Sequence, residues 1–212
     1  MGNAASPPTD TQDTESGDEP GVADRIELPE WDDAYFDQLA GRLVYNYDLE
    51  KDRRVEGESF ELYGQLSLTS KKHFLHPALS FAHHESTEHL FATRREALDV
   101  STLDRFVELG HELADEWIEP DEEHFSTDFT FVVVADDVTD DVRDRVDGFQ
   151  DRTLLKYGYN GHYEISLIVV DPERETIVAS PAADATEAAR VWADIEREEP
   201  GIFGLIARRF QL

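Results

Sequence analysis

The run FTFVVVA, residues 129–135, is the feature that most constrains how this chain can fold. Every residue in it except Thr130 is apolar, so a strand made from this run presents apolar side chains on both of its faces. Strands of that kind lie inside a sheet, where both faces are covered by other parts of the protein. We therefore expect residues 129–135 to form a central strand.

Four segments have the apolar spacing of helices. Apolar residues three and four positions apart mark residues 31–47 and 103–117 as amphipathic helices. Shorter helices are expected over residues 138–149 and 186–197. The chain is therefore predicted to contain four helices in addition to the strand at residues 129–135. The sequence shows no internal repeat.

The dipeptide Asn160-Gly161 is the strongest local turn signal in the chain. Both residues tolerate the positive φ angles of a type I′ turn, so residues 153–159 and 162–170 are expected to pair as a tight hairpin. A further strand at residues 176–180 would complete a C-terminal three-stranded meander.

Together these elements predict an α+β fold, with an antiparallel or mixed β-sheet and helices packed mainly on one face. Residues 25–212 are expected to form a single α+β domain, which is long enough to bury a core of ordinary size. Residues 1–24 contain Ser, Thr, Pro, Gly and acids with almost nothing apolar, so they are expected to form a disordered acidic tail.

The charge balance restricts the partners that this chain can have. It carries 48 acidic and 19 basic residues, for a formal charge of −29. Acidic surfaces with few lysines suit multimolar salt, which screens the self-repulsion, so the composition predicts a halophilic protein. No basic stripe is present to meet phosphates, so no nucleic acid is expected as a partner.

Apolar runs and cysteines bear on the location of the protein. No stretch approaches the roughly 18 apolar residues that a membrane-spanning helix needs, so no membrane span is expected. The chain has no cysteine, which excludes disulfides and thiolate ligands. We expect a cytoplasmic location.

Five of the eight histidines fall within residues 73–89, HFLHPALSFAHHESTEH. If residues 79–84 and 88–94 are paired strands, His83 and His89 lie opposite each other, close enough to share an ion. If the stretch is helical instead, Glu85 and His89 lie one turn apart. Neither zinc-peptidase pattern, His-Glu-x-x-His or its inverse, is complete here.

A divalent metal is the one cofactor that this stretch suggests. Its candidate ligands are His83, His89, His76 and Glu85. The alternative is a half-polar sheet face whose histidines form local hydrogen bonds, without any metal. No other cofactor is indicated.

The predicted hairpin supplies a second candidate site. In its tight register four side chains share one face of the sheet: Tyr157, Tyr159, His162 and Glu164. Aromatic, imidazole and carboxylate groups on one face suit a ligand surface or proton transfer. The alternative is a solvated sheet face rich in tyrosine, a residue that strands favour.

The run WDDAYFDQLAGRLVYNYDLEKDRRVEGESFELYGQL, followed by HFLHPALSFAHHESTEHLFATRR, resembles a haloarchaeal family of acidic proteins with no assigned function. The resemblance covers most of residues 30–180. It implies a single halophilic domain and brings no catalytic residues.

Two classes of function follow from these observations. The first is a soluble cytoplasmic binding or regulatory module for a protein or small ligand. The second is a metal-dependent enzyme that uses the histidine-rich segment, residues 73–89. The sequence leaves open whether the protein is an enzyme, because no complete catalytic motif is present.

Overall fold

The computed structural model describes residues 29–71 and 83–193. Within these ranges the chain forms one seven-stranded mixed sheet and four α-helices, so the predicted α+β class is confirmed. The predicted disordered tail, residues 1–24, lies outside the described residues. None of the helices in the described part of the chain is long and apolar enough to cross a membrane.

The strands are β1 (Asp48–Val55), β2 (Glu58–Lys71), β3 (His83–Arg95), β4 (His124–Ala135), β5 (Asp151–Leu154), β6 (His162–Asp171) and β7 (Thr176–Ala179). The helices are α1 (Ala34–Leu43), α2 (Val100–Trp117), α3 (Asp140–Asp147) and α4 (Thr186–Ala189). All four predicted helices are present, although α1, α3 and α4 are shorter than their apolar patterns suggested. Residues 194–197 of the last predicted helix lie outside the described residues.

The sheet has the order β1-β2-β3-β4-β6-β5, and β7 also pairs with β6. Strands β3, β4 and β6 are parallel to one another, while β1, β2, β5 and β7 pair antiparallel with their neighbours. Residues 129–135 belong to β4, which lies between β3 and β6. Their predicted central position is therefore confirmed.

Helices cover both faces of this sheet. On one face, which we call the α2 face, Phe129 and Phe131 of β4 pack in a core with α2 and α3. On the opposite face, the α1 face, Val132 and Val134 pack in a core with α1 and α4. Helices α2 and α3 thus lie on one face, and helices α1 and α4 lie on the other. Both faces need this cover because β4 has apolar side chains on both sides.

The predicted tight hairpin at Asn160-Gly161 is wrong. Strand β5 ends at Leu154, which pairs with His162, so the connection spans residues 155–161. The Asn160 side chain donates to the Pro120 carbonyl instead of sitting at a turn tip. A contact distant in the sequence therefore decides the role of this dipeptide.

The predicted C-terminal meander is present only in part. Strands β5, β6 and β7 pair in succession and antiparallel, as expected. However, β4 occupies one whole edge of β6, so β5 and β7 lie end to end along the other edge. The apolar side chains of β4 and β6 favour this arrangement because it buries both strands between neighbours.

A length mismatch leaves part of the α2 face uncovered. Helix α2 has 18 residues and spans about 27 Å, whereas β3 has 13 residues and spans about 43 Å. The helix follows β3 and returns toward the starting ends of β3 and β4. Because it ends at Trp117, the first residues of these strands face a cleft.

Candidate functional site

The cleft lies beside the end of α2 and has a volume of about 560 Å³. Its walls come from β1 to β4 and from the segment that joins α2 to β4. The lining residues are Arg53, Tyr63, Gln65, Glu85, Thr87, His89, Trp117, Ile118, Glu119, Asp121, His124 and Thr127.

His89 of β3 forms the floor of the cleft. Its side chain is 8% exposed, and its ring stacks on that of Phe129 at a centroid distance of 5.4 Å. The two residues are register partners on adjacent strands, which explains the contact. Tyr63 stacks on the histidine ring, and Trp117 meets it edge-on at 5.0 Å. Aromatic neighbours therefore enclose both faces of the imidazole.

One nitrogen of His89 has a partner and the other does not. Nδ1 lies 2.8 Å from the hydroxyl of Tyr63, and this hydrogen bond is buried. Nε2 forms no hydrogen bond with any residue in the described part of the chain. Because His89 lines the cleft, Nε2 is the ring atom left for a ligand.

The floor of the cleft is uncharged at neutral pH. Burial, followed by the charge of Arg53, lowers the pKa of His89 to about 4. Burial also raises the pKa of the Tyr63 hydroxyl to about 12. The Arg53 guanidinium lies 5.2 Å from the Tyr63 ring centroid and is paired with Glu50 at 2.8 Å. The floor therefore offers neutral hydrogen-bonding groups.

The rim of the cleft is acidic. Asp121 accepts hydrogen bonds from the backbone amides of Glu123 and His124, both at 2.9 Å, and these bonds hold the pKa of its carboxyl below the usual range. Glu85 and Glu119 add two more exposed carboxylates. The rim therefore disfavours anionic ligands.

His124, in the wall of the cleft, has both ring nitrogens engaged. Nδ1 donates a hydrogen bond to the Asn160 carbonyl at 2.7 Å, because a carbonyl oxygen can only accept. Nε2 lies 2.9 Å from the Thr127 hydroxyl. The ring therefore ties the cleft wall to residues 155–161.

Of the predicted metal ligands, His83, Glu85 and His89 belong to the described part of the chain, where they are spread along one strand. His83 and His89 lie in the same strand, β3, so the prediction that they face each other across two strands is wrong. Their six-residue separation corresponds to about 20 Å along a strand. Glu85 is exposed at the cleft rim, about 13 Å along the strand from His89. His76 lies outside the described residues.

The four candidate ligand-binding residues separate into two pairs. Tyr157 and Tyr159 lie in the connection after β5, where their side chains are 96% and 88% exposed. His162 and Glu164 lie half-buried on the α1 face of β6. The predicted shared face is wrong because β5 ends before Tyr157, so the tyrosines never enter the sheet.

The α1 face adds a partner that the sequence did not suggest. Asp128 of β4 is the register partner of Glu164, and one ligand atom each from Asp128, His162 and Glu164 lies within 4.8 Å of the other two. Asp128 was missed because acids are frequent in this chain. Its position just before the apolar run of β4 was the available signal.

A third polar group joins α2 to the sheet. His111 lies 2.9 Å from the Tyr163 hydroxyl through Nδ1 and 3.1 Å from the Asp151 carboxylate through Nε2. Both ring nitrogens are thus engaged, and none of the three residues lines the cleft. The contacts hold α2 against β5 and β6.

Comparisons with known proteins complete the description. The model of a family described as a domain of unknown function, DUF8052, matches residues 32–191. That range contains the cleft and the three clustered residues of the α1 face. No curated protein and no solved structure matches the chain.

Proposed function

We propose that this chain, which belongs to the DUF8052 family of unknown function, is a binding module for a small, polar, uncharged molecule that occupies the cleft. The observation that carries the proposal is His89, a buried and neutral histidine whose Nε2 has no hydrogen-bond partner among the described residues. An imidazole nitrogen that has no protein partner and lies at the base of a cleft is available to bind a ligand.

The size and lining of the cleft support this class of ligand. Small-molecule sites typically have volumes of about 300–1,000 Å³, and this cleft has about 560 Å³. Gln65, Thr87 and Thr127 supply neutral hydrogen-bonding groups beside His89. A charged ligand would lose its hydration against an uncharged floor, which is costly. Sugars, nucleobases and amides meet these requirements.

Binding fits the protonation of the floor better than acid–base catalysis does. A general acid or base works best when its pKa lies near the working pH. His89, with a pKa of about 4, is a weak base at neutral pH, and Tyr63, with a pKa of about 12, keeps its proton. A metal-dependent enzyme that uses residues 73–89 stays the alternative. The positions of His83, Glu85 and His89 along one strand do not support it.

NMR of the imidazole nitrogens tests the proposal directly. Full-length protein in 2 M KCl is titrated with a panel of monosaccharides, nucleosides and small amides. We expect at least one compound to shift the Nε2 resonance of His89 and to raise the melting temperature. The rise in melting temperature should vanish in His89→Phe, and both effects should persist in His111→Phe, which changes a histidine outside the cleft. Binding that leaves the His89 resonance unchanged would refute the proposal.

A protein partner is the second candidate, and the exposed tyrosines favour it. Tyr157 and Tyr159 are almost fully exposed, and Lys156 and Tyr157 have positive φ angles of 46° and 59°. Exposed aromatic side chains on a strained loop are typical of interfaces. The acidic composition supports the proposal of a halophilic protein, and a cytoplasmic location remains part of the proposal.

A further inference from the structure

The α1 face carries a group of residues that is separate from the cleft. Asp128 and Glu164 are register partners on the parallel strands β4 and β6, and His162 lies two positions before Glu164 on the same face. One ligand atom from each residue lies within 4.8 Å of the other two, and all three side chains are half-buried. We propose that Asp128, His162 and Glu164 bind one divalent transition-metal ion.

The donor set suits such an ion. Imidazole nitrogen binds zinc, iron, cobalt and nickel well, and carboxylates add hard oxygen ligands that manganese also accepts. Bonds of about 2.1 Å place two ligand atoms about 3.4 Å apart around a tetrahedral ion. The three ligand atoms lie within 4.8 Å of one another, so small side-chain rotations would bring them to that distance.

Ser126 provides a second, independent observation. Its side chain is 3% exposed, and its Oγ has no hydrogen-bond partner within the described ranges. Ser126 is the register partner of His162 and lies two positions before Asp128, so its side chain projects on the same face, beside the group. A buried hydroxyl without a partner is unfavourable. A water molecule bound to the metal would satisfy it.

A neighbouring carboxylate strengthens the electrostatic case. Glu88 of β3 is the register partner of Asp128, so Glu88, Asp128 and Glu164 form a row across three strands, which we call the carboxylate row. The oxygens of Glu88 accept hydrogen bonds from Thr130 at 3.0 Å and Tyr47 at 2.8 Å. Glu88 is therefore held in place beside the three residues, and a divalent cation would offset charge repulsion between carboxylates along the row.

Arg152 would compete with the metal ion for Nδ1 of His162. It is exposed on β5 opposite Glu164, and its Nη2 lies 3.4 Å from Nδ1 of His162. A guanidinium only donates hydrogen bonds, and its charge repels a metal cation. Metal binding therefore requires Arg152 to move, which its exposure permits.

Cobalt(II) is the probe, because a four- or five-coordinate cobalt site absorbs visible light much more strongly than hydrated cobalt does. Full-length protein in 2 M KCl, which screens nonspecific binding to the acidic surface, is titrated with CoCl₂. We expect one ion per chain. In a parallel titration with Zn²⁺, the imidazole nitrogen resonances of His162 should shift before those of any other histidine.

Variants then test the ligands. We expect Asp128→Asn and Glu164→Gln each to weaken binding more than about 100-fold, since loss of an outer-shell partner alone costs roughly 10–100-fold. Asp151→Asn is the matched control, because it neutralises a carboxylate bound to a histidine on the opposite face, and it should bind normally. Circular dichroism confirms that each variant is folded.

Two milder variants keep the test decisive if a ligand variant fails to fold. Ser126→Ala should weaken binding about tenfold, as expected of an outer-shell group, without destabilising the metal-free protein. Arg152→Ser should tighten binding by removing the competing charge. The proposal is overturned if wild-type protein shows no cobalt bands, if another histidine responds first, or if Ser126→Ala and Arg152→Ser both bind like wild type.

Discussion

The cleft and the carboxylate row lie on opposite faces of the same strands, yet their electrostatics differ sharply. On the α2 face, His89 and Phe129 form a desolvated floor without charge. On the α1 face, Glu88 and Asp128 lie one position earlier in the same strands and belong to a row of carboxylates. Residues joined by a single peptide bond thus occupy a neutral and a charged environment.

The alternation of side chains along a strand explains this contrast. Successive residues point to opposite faces, so two interleaved sets of residues on one strand build independent surfaces. Helix coverage then decides how much water each surface meets. The effect of salt on stability should therefore come mainly from the carboxylates. The effect of pH on the floor of the cleft should come from His89.

Dilution of salt is expected to have the largest effect. Lowering KCl from 2 M to 0.1 M lengthens the screening distance to about 10 Å and should lower the melting temperature by on the order of 10 °C, about 3–5 kcal/mol for a chain of this size. Calorimetry at a series of KCl concentrations measures it. His89→Phe should keep the same salt dependence because His89 is neutral. A melting temperature independent of salt would contradict this account.

Gly161→Ala should disturb both regions, because this glycine precedes β6 and touches the start of β4. Its φ is +73°, and a Cβ atom would lie 2.1 Å from the Phe125 carbonyl oxygen. We expect a loss of about 3 kcal/mol in unfolding free energy, measured by urea denaturation. Gly158→Ala is the control, since its φ is +88° but nothing lies within 4 Å of the added atom. It should cost only about 1 kcal/mol. Equal costs would show that the backbone contact is unimportant.

Acidification should lower the stability of the protein through His89, at the floor of the cleft. Burial, followed by the charge of Arg53, lowers the pKa of His89 from 6.5 to about 4. Below pH 6.5 the unfolded chain binds a proton that the folded protein does not, so stability present above pH 6.5 is lost as the pH falls toward 4. We expect His89 alone to remove about 2 kcal/mol between pH 7 and pH 5.

Urea denaturation at pH 7 and pH 5 measures this loss, and His89→Phe isolates it. The variant should lack the part of the pH dependence that His89 contributes, whatever its stability at pH 7. If wild type and His89→Phe lose the same free energy on acidification, the floor of the cleft is not the pH-sensitive element.

The double substitution Tyr157→Ser with Tyr159→Ser should have the smallest effect. Both side chains are almost fully exposed and belong to neither region. We expect the unfolding free energy to change by less than about 0.5 kcal/mol, with the cleft and the α1 face unaltered. A larger loss in urea denaturation would show that these tyrosines pack against the protein.

The parts of the fold that could be predicted are those that local pattern encodes. Apolar residues on both faces of 129–135 correctly predicted a central strand, and apolar spacing over 103–117 correctly predicted α2. The connection before His162 could not be predicted, because the Asn160 side chain is held by the Pro120 carbonyl, 40 residues away. Turn propensity was overridden by a tertiary contact.

The candidate sites were predicted only in fragments. His89 was chosen for the wrong reason, as a metal ligand, since nothing local shows that Tyr63 and Phe129 will enclose its ring. His162 and Glu164 were placed together correctly, but their predicted neighbours were the tyrosines and not Asp128. The alternation of residues along a strand predicts which face of the sheet each side chain occupies. It does not predict which residue of the neighbouring strand lies next to that side chain.

The sequence by itself determined the charge of this protein, the presence of α1 and α2, and the burial of β4 on both faces. Tertiary structure alone decided that Asp128 meets His162 and Glu164, and that Tyr63 meets His89. The physical reason is that side chains along a strand alternate between the two faces of the sheet, which is a local property of the chain. Strand order and register instead come from burial of two whole cores, to which distant segments contribute together.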